Sequence, residues 1–101
     1  MSKRALVVNQ NDNVANLIGS GTKGGVVQCT IEGQDESRAI ELIDDIPPNH
    51  KLAFCDIRAG EAIIKYGLCI GKASCDITMG QYVHVHNIES NRGRGDLQGQ
   101  A

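Results

Sequence analysis

Two histidines, His84 and His86, stand one residue apart within a largely apolar, β-branched segment, residues 83–87. If this segment is a β-strand, both imidazoles emerge on the same side, about 7 Å apart along the backbone. Imidazoles so placed could bind one metal ion or exchange protons with one substrate, because histidine titrates near neutral pH. The other interpretation is that both rings lie on the solvent-facing side of an edge strand.

Five further polar residues are candidates for binding a substrate. Asn87 could orient a hydroxyl group or simply end the strand. Lys65 could neutralise a carboxylate or lie solvated on a strand face, and His50 could approach the same site or cap a turn. Arg92 and Arg94 could form bidentate pairs with a carboxylate, either of the substrate or of a partner protein.

Short strands are the elements that must position these residues. Runs of β-prone residues, separated by Gly, Asn, Asp or Pro, occur at 5–8, 26–30, 39–43, 51–54, 62–65 and 81–88. There are two exceptions: Asp12 could cap a helical turn over residues 13–18, and Asp35 could cap one over residues 36–39. The sequence therefore predicts an all-β domain with one or two short helical turns.

An internal repeat supports this prediction. Residues 55–63 recur at 75–83 with matching Cys, Asp, Ile and Gly, and a degenerate copy begins at Asp45. In each copy the Asp can bond the turn backbone, the Ile can anchor the turn in the core, and Gly or Asn can take a left-handed conformation. Residues 19–25 are also Gly-rich, but they lack the order of a phosphate-binding loop and indicate a hairpin turn. The four cysteines are expected to be buried thiols.

Composition limits the size of the core and the classes of partner. The chain has 101 residues, with one Phe, two Tyr and no Trp, so a folded domain at 1–88 must build a modest core and lean on a partner. Residues 89–101 form a polar, Gly/Arg-rich tail. The net charge of −2 predicts no nucleic-acid binding, and no apolar run approaches a membrane span. The N-terminus lacks a signal-peptide core, which predicts a cytoplasmic protein.

The order of these residues resembles a known family. Residues 50–53, 64–67, 70–73 and 83–87, together with Asp-Ile pairs at 56–57 and 76–77, look like the SAF domain of altronate and galactarate dehydratases. Members carry this domain at the N-terminus of a long chain or as a separate small subunit, and this chain resembles the separate subunit. The resemblance implies a β-clip fold of short strands and bent hairpins.

The resemblance also implies an activity. It is that of a metal-dependent lyase, a hydro-lyase, which dehydrates a sugar acid such as altronate or galactarate. The small subunit would be inactive alone, and a large subunit would carry most of the active site with a divalent metal, commonly iron. His84 and His86 would be metal ligands, proton carriers, or one of each.

Several alternatives remain open at this point, of which a nucleic-acid role for the Arg/Gly tail is the weakest. Sulfolactate sulfo-lyase, which eliminates sulfite rather than water, uses a small subunit of the same type. A non-catalytic β-clip module could instead hold a sugar acid or a partner protein. In isolation the chain could also form a homo-oligomer.

Overall fold

The computed structural model describes residues 3–34 and 37–90, which contain nine short strands. They are β1 (Lys3–Val7), β2 (Val14–Ile18), β3 (Val26–Ile31), β4 (Ser37–Glu41), β5 (Lys51–Ala53), β6 (Ala62–Lys65), β7 (Leu68–Ala73), β8 (Tyr82–Val83) and β9 (Ile88–Ser90). A six-stranded sheet has the order β4-β3-β1-β2-β5-β8, and a three-stranded sheet has the order β6-β7-β9. Strands β1 and β3 are parallel, and the other neighbouring pairs are antiparallel. Within the two described ranges, no helix is long and apolar enough to cross a membrane.

The all-β class predicted from the sequence is confirmed, but the helical turns are wrong. The segment after Asp12 is strand β2, and the segment after Asp35 is strand β4, although residues 35 and 36 themselves lie outside the described residues. Strand β2 is buried on both faces, because Val14 packs in one core and Leu17 in the other. Apolar residues on both faces remove the alternation by which a half-buried strand is recognised.

The last predicted strand, residues 81–88, is divided in two. Strand β8 ends at Val83, a turn occupies residues 84–87, and β9 begins at Ile88. Strand β9 begins at the last residue of the predicted domain, 88, and continues two residues into the predicted tail. Strand β7 is not among the predicted strands, because Gly71 weakens its β pattern. That glycine is required, since a Cβ atom there would collide with the backbone of Glu89 on β9.

Two small apolar cores lie on opposite faces of strands β2 and β5. The first contains Ala5, Val7, Ala15, Leu17, Val27, Cys29, Ile40, Leu42, Ile46, Leu52 and Phe54. The second contains Val14, Ala53, Ile57, Ile63, Ala73, Ile77 and Val83. Because adjacent residues of a strand point to opposite faces, β2 and β5 each contribute to both cores.

The repeated turns found in the sequence pack against each other in pairs. Ile57 and Ile77 exchange backbone hydrogen bonds of 2.8 and 2.7 Å, and both side chains are buried. The carboxylate of Asp76 accepts a hydrogen bond of 2.8 Å from the N–H of Ala59. In return, Asp56 accepts one of 2.9 Å from the N–H of Met79. The predicted role of Asp is confirmed, but each carboxylate bonds the backbone of the opposite turn.

Residues 19–25 form a turn, but the predicted hairpin is wrong, because β1 lies between β2 and β3 in the sheet. This turn is a fourth member of the set. Gly21 bridges to Ile46 with two hydrogen bonds of 2.9 Å, and the N–H of Lys23 donates to Asp45 at 2.8 Å. The position that is Ile in other copies is glycine here, because Leu42 and Leu17 fill the space that a side chain would need. The left-handed residues close the turns in all four copies: Gly24, Asn49, Gly60 and Gly80 have φ of 89°, 63°, 89° and 90°.

Candidate functional site

The two histidines of the motif lie at a turn, not on a strand as expected. The chain bends at His84, and His86 lies within the turn that follows. The alternation of side chains along a strand therefore does not place these two rings on one face. Instead, both rings contact Tyr82 of strand β8. The His84 ring stacks on the Tyr82 ring, with centroids 5.6 Å apart and planes 8° apart, and the His86 ring lies 5.2 Å away at 42°.

His50 joins this group through strand pairing. Lys51 of β5 lies opposite Val83 of β8, so the residue before β5 comes close to the residue after β8. The rings of His50 and His84 meet edge to face, with centroids 4.9 Å apart. The structure therefore assembles three imidazoles and one phenol, His50, Tyr82, His84 and His86, which we call the ring cluster.

One imidazole of the ring cluster, that of His50, has its tautomer fixed by a hydrogen bond when it is neutral. The Nδ1 atom of His50 lies 2.9 Å from the carbonyl oxygen of Pro48. A carbonyl can only accept a hydrogen bond, so Nδ1 carries the proton in this contact, and the Nε2 lone pair of neutral His50 is available. His50 thus has a fixed ring orientation and one basic nitrogen.

The pKa of His84 lies below its ordinary value of 6.5. Desolvation is the largest cause, and the positive charges of His50, Lys51 and His86 act in the same direction. A histidine so perturbed is neutral at neutral pH, which is the form that accepts a proton or binds a metal.

A metal ion would find an incomplete set of ligands in this chain. Across residues 3–34 and 37–90, no group of three His, Cys, Asp or Glu side chains could hold a metal ion. The rings of the ring cluster are packed against one another rather than arranged around a common point. The described residues alone do not fit a closed metal centre, so any metal here needs ligands from outside them.

Asn87, a candidate for substrate binding, is a buried part of the turn. Its Oδ1 accepts a hydrogen bond of 2.9 Å from the N–H of His84, and its Nδ2 donates one of 2.8 Å to the carbonyl of Tyr82. Its side chain is fully buried. The amide therefore holds His84 beside Tyr82, and both of its polar atoms bond the backbone of the turn.

Lys65 lies at the end of strand β6, next to a tyrosine that precedes the β6–β7 turn. Its ammonium nitrogen is 4.8 Å from the centre of the Tyr66 ring. The Tyr66 hydroxyl accepts a hydrogen bond of 3.1 Å from the amide of Asn16. Asn16 is paired with Lys51 across strands β2 and β5. Lys51 is a residue that the site predictions missed, although the His-Lys pair at 50–51 was a signal for it.

Arg92 and Arg94 lie outside the described residues, so their predicted roles stay predictions. The thiols differ from the expectation of burial: Cys29 is buried and Cys55 half-buried, whereas Cys69 and Cys75 are exposed. Cys29 lines an open groove of about 460 Å³ with Arg38 and Phe54, which shares no residue with the ring cluster. Burial raises the pKa of the Cys29 thiol to about 11, so this thiol is not a nucleophile at neutral pH.

Comparison with known proteins identifies relatives of this chain. The chain is 34% identical over 93 residues to the (2R)-sulfolactate sulfo-lyase subunit alpha of Chromohalobacter salexigens. This match covers 91% of this chain and 99% of that protein. It is 47% identical over 53 residues to the altronate dehydratase of Bacillus subtilis and 38% identical over 80 residues to that of Escherichia coli.

The extent of these matches differs between the two kinds of relative. The matches span only 11% and 15% of the lengths of the two altronate dehydratases. The sequence model of the altronate/galactarate dehydratase SAF domain matches residues 3–91. The chain therefore belongs to the altronate/galactarate dehydratase SAF domain family.

Proposed function

We propose that this chain is the small subunit of a lyase that removes water from a sugar acid such as altronate or galactarate. The ring cluster is the observation that carries the proposal, because it gathers three proton-carrying groups at one edge of a sheet. A further support is the match to nearly the whole length of a relative that is itself named as a subunit.

The reaction requires two proton transfers that suit imidazole. A base takes the proton from the carbon beside the carboxylate, and an acid protonates the departing β-hydroxyl so that it leaves as water. We assign the first task to His84, whose pKa is lowered and whose ring is neutral at neutral pH. His86, whose ring also lies against Tyr82, would serve as the acid.

A large subunit completes the site in this proposal. Val85 lies between the two histidines, and 77% of its surface is exposed. An apolar side chain at the tip of a turn suits contact with another protein. The large subunit would cover this turn and supply the remaining groups around the substrate.

The proposal includes a divalent metal, iron by resemblance to the family. Bound to the substrate carboxylate and α-hydroxyl, it would stabilise the negative charge that develops when the proton leaves. His84 and His86 can supply at most part of its ligands, so the large subunit would supply the rest. If His84 is instead one of the metal ligands, His50, with its available Nε2, would act as the base.

The test is a complex of this chain with a large subunit of the dehydratase type. We expect no turnover by either subunit alone, and elimination from altronate or galactarate by the complex supplied with iron(II). His84→Ala and His86→Ala should each lower kcat about 100-fold or more, since one acid or base contributes on that scale. Lys23→Ala, in an exposed turn away from the ring cluster, is the control.

The assay also separates this proposal from a binding role without chemistry. Circular dichroism and copurification must show that each histidine variant folds and binds the large subunit. Full activity of a complex that carries both His84→Ala and His86→Ala would contradict our assignment. It would favour a module that only holds the substrate or the partner.

A second candidate is sulfite elimination. It is favoured by the match to 99% of a sulfo-lyase subunit, compared with 11% of an altronate dehydratase. The same proton abstraction would be followed by departure of sulfite, which needs no proton at the leaving group. Release of sulfite from sulfolactate, with no dehydration of either sugar acid, would establish this candidate in place of the first.

A further inference from the structure

A second polar group lies across strand β5 from the ring cluster. It consists of Lys51, Lys65, Tyr66 and Asn16, which come from strands β5, β6 and β2 and the β6–β7 turn. Leu52 packs in the first core, so Lys51, its neighbour in sequence, points to the opposite face of the strand. We call these four residues the lysine site.

The turn of the lysine site is held in an unfavourable conformation. Tyr66 has φ of 57°, in the left-handed region where Gly or Asn is preferred, and Gly67 follows with φ of 75°. The buried carboxylate of Asp12 accepts hydrogen bonds from both of their N–H groups, at 2.9 and 2.7 Å. A tyrosine kept at this position, with half of its surface exposed, indicates a role for its ring and hydroxyl.

The polar atoms of the lysine site are arranged as donors. Tyr66 Oη accepts from the Asn16 amide at 3.1 Å, which leaves its own O–H to donate outward. The ammonium of Lys65 lies over the Tyr66 ring. The pKa of Lys51 is lowered by its partial burial and by the positive charge of Lys65, so the two cations repel each other. An anion between them would relieve this repulsion.

We propose that Lys51, Lys65 and the Tyr66 hydroxyl bind the second anionic group of a substrate that carries an acid group at each end. This inference rests on the proposed function, because it takes the ring cluster as the place of reaction. The lysine site would bind the carboxylate or sulfonate remote from the bond that breaks. The chain would then favour dianionic acids over acids with a single charge.

The experiment compares substrates that differ in their number of acid groups. The complex with a large subunit is assayed with galactarate and sulfolactate, which are dianions, and with altronate, a monoanion. Lys51→Met and Lys65→Met keep the length of the side chain and remove its charge. Lys23→Met is the matched control, because it removes a lysine charge from an exposed turn.

We expect each of the two variants to raise KM for the preferred dianion about tenfold or more, with little change in kcat. An interaction away from the reacting bond that is equally strong in the ground state and the transition state changes KM and leaves kcat unchanged when it is removed. KM for altronate should change less than about twofold. An equal rise for mono- and dianions would overturn the proposal, as would the absence of any change. Lost copurification of Lys51→Met with the large subunit would also overturn it, because the occupant would then be an acidic group of the partner.

Binding to the chain itself gives a result that does not depend on turnover. Galactarate is titrated into the full chain, and the NMR signals of the Tyr66 ring and of the lysine Hε atoms are followed. We expect saturable shifts that are lost in Lys51→Met and weak or absent with altronate. If no acid is turned over by the complex, these shifts would still support the lysine site while the lyase proposal fails. Shifts that are the same in Lys51→Met would overturn it.

Discussion

At the scale of the residue, two buried polar side chains hold the turns that form the candidate site. Asp12 bonds the backbone of Tyr66 and Gly67, and Asn87 bonds the backbone of His84 and Tyr82. The sequence predicted a helix cap for the first and allowed a substrate contact for the second. The helix-cap prediction recognised that the side chain of Asp12 bonds backbone, but its partner Tyr66 lies 54 positions away in the chain.

The burial of Cys29 predicts a pH dependence of stability. The pKa of this thiol rises from 9.0 to about 11 because it is buried, against a smaller opposing effect of the Arg38 cation. Between pH 9 and 11 the unfolded chain therefore binds fewer protons at this position than the folded chain. The free energy of unfolding should fall as pH rises through this window, and it should be unaffected by this group below pH 9.

Urea denaturation of the natural protein and Cys29→Ala at several pH values measures this effect. The variant is less stable at every pH because it leaves a cavity, so the informative quantity is the slope. We expect the natural protein to lose stability more steeply than the variant above pH 9, because other titrating groups are common to both. Parallel profiles would mean that the folded protein does not hold this proton.

At the scale of the element, four similar turns organise the chain as two bridged pairs. Each turn places a residue with positive φ before the next strand, and three of these residues are glycines. Their surroundings differ, although their backbone conformations are alike. A Cβ atom at Gly60 would meet nothing within 4 Å, whereas one at Gly80 would collide with the backbone carbonyl of Glu41.

This contrast predicts unequal effects of one substitution. Gly60→Ala should cost about 1–2 kcal/mol, the strain of a left-handed residue with a Cβ atom. Gly80→Ala should cost about 2 kcal/mol more, because a backbone carbonyl cannot move aside as a flexible side chain can. The free energy of unfolding in urea measures both, and each variant is the control for the other. Equal losses would show that the Glu41 carbonyl yields to the added methyl group.

At the scale of the whole molecule, two small cores share strands. Strand β2 places Val14 in one core and Leu17 in the other, and β5 does the same with Ala53 and Leu52. If β2 or β5 left one core, the apolar residues of the other core would also become exposed to solvent. We therefore expect the two sheets to unfold in a single transition, as small domains usually do.

A matched pair of substitutions tests this coupling. Ile40→Val in the first core and Ile63→Val in the second each remove one methylene from a buried side chain, at a cost of about 0.5–1.5 kcal/mol. Each should lower the stability of amides in β3 and in β7 by the same amount, as measured by native-state hydrogen exchange. If one variant weakened its own sheet only, the cores would be independent units.

The features of the fold that were predicted correctly are those fixed by residues close together in the sequence. The turns were recognised because Asp, Ile and Gly recur at fixed spacing, and each has a conformational reason to be there. Strand β2 was mistaken for a helical turn because its burial on both faces is produced by two separate cores. The membership of residues 19–25 in this set of turns was missed because the Ile position is Gly21, and only the packing of Leu42 and Leu17 explains that glycine.

The sequence alone determined the all-β class, the turn repeat, the family resemblance and the importance of His84 and His86 as the strongest candidates. Only the tertiary structure decided that these histidines lie at a turn, that His50 meets His84, and that Lys51 belongs to one polar group with Lys65 and Tyr66. The physical reason is that His50 meets His84 and Asn16 meets Tyr66 across 30 or more positions of the chain, and the two lysines come together across 14, through strand pairing. Local patterns specify which conformation a segment prefers, whereas the packing of the two sheets decides which side chains meet.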